Sequence, residues 1–165
     1  MGALVAGPLS PADAAIRAAA RARGSDRPTA VAIGRVLLAR PLPAQLTQIR
    51  CERTGQHQIC GLVLSGVKFK HPLNRRGFIA EVRALIGGAF ATAPIEEVDL
   101  WTTVPLGTGK GIVVSGDLAV ATAATVFAVT VPRSRLGQLD RQLASGADLF
   151  WDASFAHSLS EGTSP

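Results

Sequence analysis

Aromatic side chains are scarce in this 165-residue chain, at 5% of its residues, so its core has to be built from small and β-branched groups; Ala and Val supply much of the 47% apolar content. Metal ligands are equally sparse. His57, His71 and His157 lie far apart, and neither Cys-x-x-Cys nor His-x-x-x-His spacing occurs, so no metal or cofactor is expected. No apolar run reaches the length that crosses a bilayer, which excludes a helical membrane span from the expectations. Met1 to Ala6 has no basic n-region and too short an apolar run for a complete secretory signal, and Ala6 stands where a myristoylation signal wants Ser or Thr. A cytoplasmic location is therefore expected. No internal repeat is present. A phosphate loop is missing too: Gly107-Thr108-Gly109-Lys110-Gly111 looks suggestive, but Val104 stands five positions before Gly109 and Gly111 follows Lys110, so Gly, four residues, Gly-Lys-Ser/Thr is not met. The stretch reads as a glycine-rich connector in which Lys110 could touch an anion.

What is present is organised around His57–Pro105, which reads as strand, capped helix, strand. Ile59, Gly61, Val63 and Val67 alternate with Cys60, Leu62 and Leu64, a pattern that suits a central strand covered on both faces. Asn74 is placed as N-cap, with Leu73 before it and Phe78 four positions after it as a hydrophobic staple. Phe78, Val82, Leu85, Ile86 and Ala89 then form one helical stripe, while Arg75, Arg76, Glu81 and Arg83 point elsewhere and Gly87-Gly88 weakens the last turn. After Ala93-Pro94, Val98, Leu100, Thr102 and Val104 alternate with Glu97, Asp99, Trp101 and Thr103, the period of a half-exposed strand.

Upstream, Ser10-Pro11-Ala12-Asp13 opens an alanine-rich helix to about Arg23, whose only large apolar residue is Ile16; it must pack its alanines closely on a neighbour or fray. Gly24 to Pro28 reads as a break. Thr29 to Arg40 reads better as a helix capped by Thr29 than as a strand. Gln45 to Arg53 alternates as a strand, and Thr54-Gly55-Gln56-His57 turns it back into the central unit. A two-residue loop at Gly55-Gln56 puts Cys51 opposite Cys60 as a non-hydrogen-bonded pair. Downstream come a short run at Ile112 to Val114, a turn at Ser115-Gly116-Asp117, a strand from Thr125 to Val131, a helix from about Ser134 through Leu136, Leu139 and Leu143, and a short helix around Phe150, Trp151 and Phe155. The expected fold is α+β: a two-layer sandwich whose mixed, mostly antiparallel sheet is built round the β-α-β unit at 57–105, with N- and C-terminal helices. Residues 1–157 form one domain, 1–28 being a helix that can sit loosely on it, and 158–165 a disordered tail.

Charge is separated along the chain. Residues 1–76 carry twelve Lys/Arg against three Asp/Glu, a balance of +9, and residues 77–165 carry five against nine, a balance of −4. Such a division favours an anionic partner or self-association between opposite poles. Arg50, Arg53, Lys68, Lys70, His71, Arg75 and Arg76 are the candidate anion-binding group, with a helix N-terminus beside them. Phe69 is its one aromatic, which argues against a stacking platform for single strands. Cys51 and Cys60 are a cross-strand disulfide, a redox pair or two buried small hydrophobes, the last being favoured in a reducing compartment. Glu97, Asp99 and Asp117, with Glu96 nearby, are the carboxylates available for catalysis, although exposed acidic groups on a strand explain them as well. The reading that results is a non-enzymatic partner-binding or assembly domain, with protein partner or self-association ahead of nucleic acid or another polyanion, and a small enzyme using Glu97, Asp99 or Asp117 behind both. The sheet face away from the central helix is expected to be closed by the terminal helices or by a partner.

Overall fold

The computed structural model describes residues 9–40, 44–69, 73–105, 123–146 and 148–161. They form an α+β two-layer sandwich in which a mixed six-stranded sheet, ordered β1-β2-β3-β4-β5-β6, carries a layer of helices. Helix α1 (Pro11–Arg21) begins where Ser10 accepts the Asp13 amide at 3.1 Å. Its exposed side carries Ile16, while Ala14 and Ala18 are buried. A Cβ on Gly34 would lie 2.9 Å from that of Ala18, so the alanine helix is held by near backbone-to-backbone packing.

Strand β1 (Ala22–Arg23) is too short to leave a periodic signal; it runs parallel to β2 (Ala44–Thr54) through Ile49 and Arg50. Helix α2 (Arg27–Leu38) starts before the expected Thr29, because the true cap is Asp26, whose carboxylate accepts from the Thr29 amide and, at 2.8 Å, from its hydroxyl. Pro28 then falls in the first helical turn, where its missing N–H costs nothing. Strands β2 and β3 (His57–Phe69) form the expected hairpin, Thr54 facing His57 and Cys51 facing Cys60. Gly55 adopts φ 63°, the left-handed backbone that the first position of such a two-residue loop demands.

Helix α3 (Arg75–Thr92) is capped by Asn74, which accepts the Gly77 amide at 2.7 Å. Its predicted stripe is buried throughout. Glu81 is buried with it rather than pointing away, and the helix continues through Gly87-Gly88 to Thr92. Gly88 is where α2 crosses: a Cβ at that position would come within 2.7 Å of Leu37 Cδ2. Strand β4 (Glu97–Pro105) lies parallel to β3, completing the β-α-β unit, and β5 (Ala123–Pro132) returns antiparallel to β4. Arg133, at the start of a 3-10 turn (Arg133–Gln138), donates to the carbonyls of Phe90, Ala93 and Ile95 at 3.0, 2.7 and 2.7 Å, closing the C-terminal end of α3.

Helix α4 (Leu139–Ser145) follows, then β6 (Leu149–Trp151) and α5 (Ala153–Glu161). Phe150 and Trp151 are thus strand residues, not part of the expected helix, because pairing with Phe127–Val129 overrides local preference. Residues 158–161, expected in the disordered tail, continue α5, and Leu159 is buried. Phe78 sits at the middle of an aromatic cluster, with ring centroids 5.1 Å from Phe127, 5.4 Å from Phe155 and 5.5 Å from Trp151.

Candidate binding surface on the open face of the sheet

The two faces of the sheet have different fates. Ile49, Cys51, Cys60, Leu62, Leu64, Val98, Leu100, Phe127, Val129 and Val131 share one hydrophobic core with residues from α1, α2, α3, α4 and α5. Because side chains alternate along a strand, the other face carries Gln48, Arg50 and Glu52 from β2, Ile59, Gly61, Val63 and Val67 from β3, and Glu97, Asp99 and Trp101 from β4. Among the described residues no helix covers it, so the expectation of a β3 covered on both faces is corrected, as is closure of this face by the terminal helices. Relative exposures are 40% for Ile59, 55% for Val67, 36% for Trp101 and 50% for Phe150, which places four large apolar groups on a single face.

The strand register aligns these groups. Gln48, Val63, Trp101, Ala128 and Phe150 form one row across β2 to β6; Arg50, Gly61, Asp99 and Thr130 form the next. Gly61 has a specific purpose there: a Cβ would stand 2.5 Å from Cζ3 of Trp101, so the indole lies over the bare β3 backbone. The rim is charged. Arg50 bonds Glu52 at 3.1 Å, and Glu52 also accepts the Ser25 amide, the bond that does most to hold its carboxyl below the usual range. Asp99 accepts from Thr130 Oγ1 at 2.7 Å. Burial, followed by the adjacent Asp99, pushes the Glu97 carboxyl up. The chain matches no family model, no curated protein and no solved structure.

The candidate anion group is not brought together. Arg50 registers with Gly61 and Arg53 with Gln58 on β3, whereas Arg75 lies over the ring of Trp151, 5.0 Å from its centroid, on β6 at the opposite border of the sheet. Arg50 and Arg53 also point to opposite faces, since Arg53 reaches Asp26 at 3.4 Å beneath the helical layer. There the Asp26 carboxyl, raised by burial, is brought below its ordinary range by hydrogen bonds from Thr29 and Gln58 and by the charge of Arg53. Arg75 and Arg76 line a groove between α3 and α4 with Arg83, whose guanidinium pairs with Asp140. The Lys68 side chain, Lys70, His71, Lys110 and Asp117 lie outside the described residues, as do the Gly107–Gly111 loop and the Ile112–Val114 run. Cys51 and Cys60 are disulfide-bonded, with Cα atoms 4.1 Å apart, rather than the free buried thiols that composition favoured. The register that faced them explains why: a non-hydrogen-bonded cross-strand pair is the closer kind.

Trp101 and Phe150 were not singled out as site residues. The available signal was Trp101 itself, a large apolar group on the strand face that otherwise carries Glu97, Asp99 and Thr103.

Proposed function

We propose that the chain is a non-enzymatic binding or assembly domain and that the open sheet face is its contact surface. One observation supports the reading: Ile59, Val63, Val67, Trp101 and Phe150 share a face that no described helix covers, while Arg50, Glu52, Glu97 and Asp99 surround its centre. An apolar, aromatic centre inside a polar rim is the composition of protein interfaces, and apolar patches of this kind on a soluble fold mark interaction sites. Catalysis ranks lower, because Glu97 and Asp99 engage each other and Thr130 on an open surface. No described helix is long and apolar enough to cross a membrane. A cytoplasmic location competes with the Cys51–Cys60 bridge, since persistent disulfides belong to oxidising compartments.

A photoactivatable phenylalanine analogue at position 101, with position 16 on the exposed side of α1 as control, tests the contact surface in the host cell. An intermolecular adduct of discrete mass at 101 and none at 16 is expected. Equal labelling at both positions, or none at 101, defeats the reading.

A further inference from the structure

We infer that the group covering the open face is a second copy of this chain, the two sheets packing face to face about a two-fold axis that runs along β3. The inference rests on the contact surface proposed above and names its occupant. The face carries its own charge complement: Arg50 on β2 and Asp99 on β4 both register with Gly61 on the strand between them. Rotation about β3 exchanges the flanking strands, so Arg50 of each copy meets Asp99 of the other, twice in one interface. Such reciprocity is what an isologous contact requires. On the axis, Ile59, Val63 and Val67 meet their own symmetry mates, supplying the apolar core.

Trp101 gives the centre its depth. Because each indole lies over its own Gly61, the two rings meet across the axis as adjacent layers. Backbone, ring, ring and backbone spaced by contacts of about 3.5 Å span roughly 10 Å, the separation at which two sheets pack. Size agrees as well. Four strands of nine or more residues, β2 to β5, at about 4.8 Å by nine residues at about 3.3 Å cover about 570 Å², and the short outer strands bring the face toward the lower end of the roughly 600–1,000 Å² per partner of a standard stable interface. Like charges at Glu52 and Glu97 of the two copies face each other one row from Gly61, a contact that offsets part of the Arg50–Asp99 pairing, although each Glu52 is already paired with its own Arg50 at 3.1 Å. Glu97 is also the carboxyl that protonates more readily than usual.

Sedimentation of the full chain across concentration is the test, with circular dichroism and thermal melts to establish that each variant folds. The wild type is expected to form two-copy particles at micromolar concentration. Arg50→Glu and Asp99→Arg should each raise the dissociation constant at least tenfold, and R50E/D99R together should return it to within about threefold of wild type. Val67→Lys, on an exposed position of the same face, should weaken pairing if either charge variant fails to fold. Pairing that survives every one of these changes, or a double exchange that behaves as the sum of the singles, overturns the two-fold register. A chain that stays monomeric at about 100 µM overturns self-pairing. In that case the position 101 probe separates the two ideas: an adduct with a different protein leaves the contact surface standing, whereas an adduct to residues 106–122 of the same copy, or none, removes both.

Discussion

Phe78→Ala should be among the most damaging single substitutions in this chain. Its ring is fully buried and meets Phe127 at 5.1 Å and Phe155 at 5.4 Å, both edge to face, and Trp151 at 5.5 Å. Truncating a buried phenylalanine costs about 3–5 kcal/mol. Three aromatic pairs, each worth about 0.5–1.5 kcal/mol and not additive, place this site toward the upper end, at about 4–5 kcal/mol. At about 2.1 cal/mol/K per residue, 165 residues have an unfolding entropy near 0.35 kcal/mol/K, so Tm should fall by about 11–14 °C. Asn74→Ala, which loses only a cap, should cost about 1 kcal/mol. The informative comparison is Phe150→Ala: Phe150 adjoins Trp151 in β6 but points to the open face, and should change stability by less than about 0.5 kcal/mol. Urea unfolding at concentrations low enough to keep the chain monomeric, followed by tryptophan fluorescence, measures all three. Equal costs at Phe78 and Phe150 would show that the two sheet faces have been assigned wrongly, and negligible costs at Phe78 and Asn74 would remove α3 from its place.

Replacing Cys51 and Cys60 together by Ala should destabilise by about 2.5 kcal/mol on the chain-entropy account, the bridge closing a separation of nine residues; complete thiol labelling of denatured, unreduced protein from the host would instead show that the bridge is not formed there. Asp26→Asn should destabilise near neutral pH, and the gap should narrow on acidification: a lowered carboxyl contributes its full stability above the ordinary value of about 3.9 and loses it as pH falls through the folded one. Urea midpoints that keep the same spacing from pH 7 to pH 2 would contradict that. If Arg75 and Arg76 with Arg83 serve a polyanion, binding should weaken steeply with salt, and Arg75→Glu/Arg76→Glu should flatten the slope while Arg53→Glu leaves it unchanged; an equal effect from Arg53 would restore the single patch that the sheet geometry divides.

Local chemistry made much of the fold legible. Ser10, Asn74 and the Gly55-Gln56 loop each announced a boundary through a hydrogen bond or a backbone angle that few residues satisfy, and the alternation of β4 placed Val98 and Leu100 inward. Where several weak signals met, reading was harder. Asp26 outcompeted Thr29 as a cap because its carboxylate can accept from both the amide and the hydroxyl of Thr29. β1 and β6 owe their existence to neighbours, not to their own composition. The site was harder still. Arg50 and Arg53 looked like companions because they are close in sequence, yet three positions along a strand reverse the face. An apolar residue on β3 reads the same whether a helix or solvent lies above it, so the open face became visible only when every described helix was found on the opposite side.

The borders of the sheet set a limit on growth. The outer strands are two and three residues long, and short turns occupy groups beside them: Asp26 donates to the Cys51 carbonyl, Ser25 Oγ accepts from the Arg53 amide, and Asp152 donates to the Val126 carbonyl. Irregular register near Leu46 further twists the β2 margin. Among the described residues a newly arriving strand finds little uninterrupted ladder on which to template itself, which disfavours edge-to-edge growth of this sheet. Contacts made through a face, by contrast, are exhausted once that face is covered. If the open face is the contact, the number of copies per particle should therefore plateau at a small, fixed value as concentration rises.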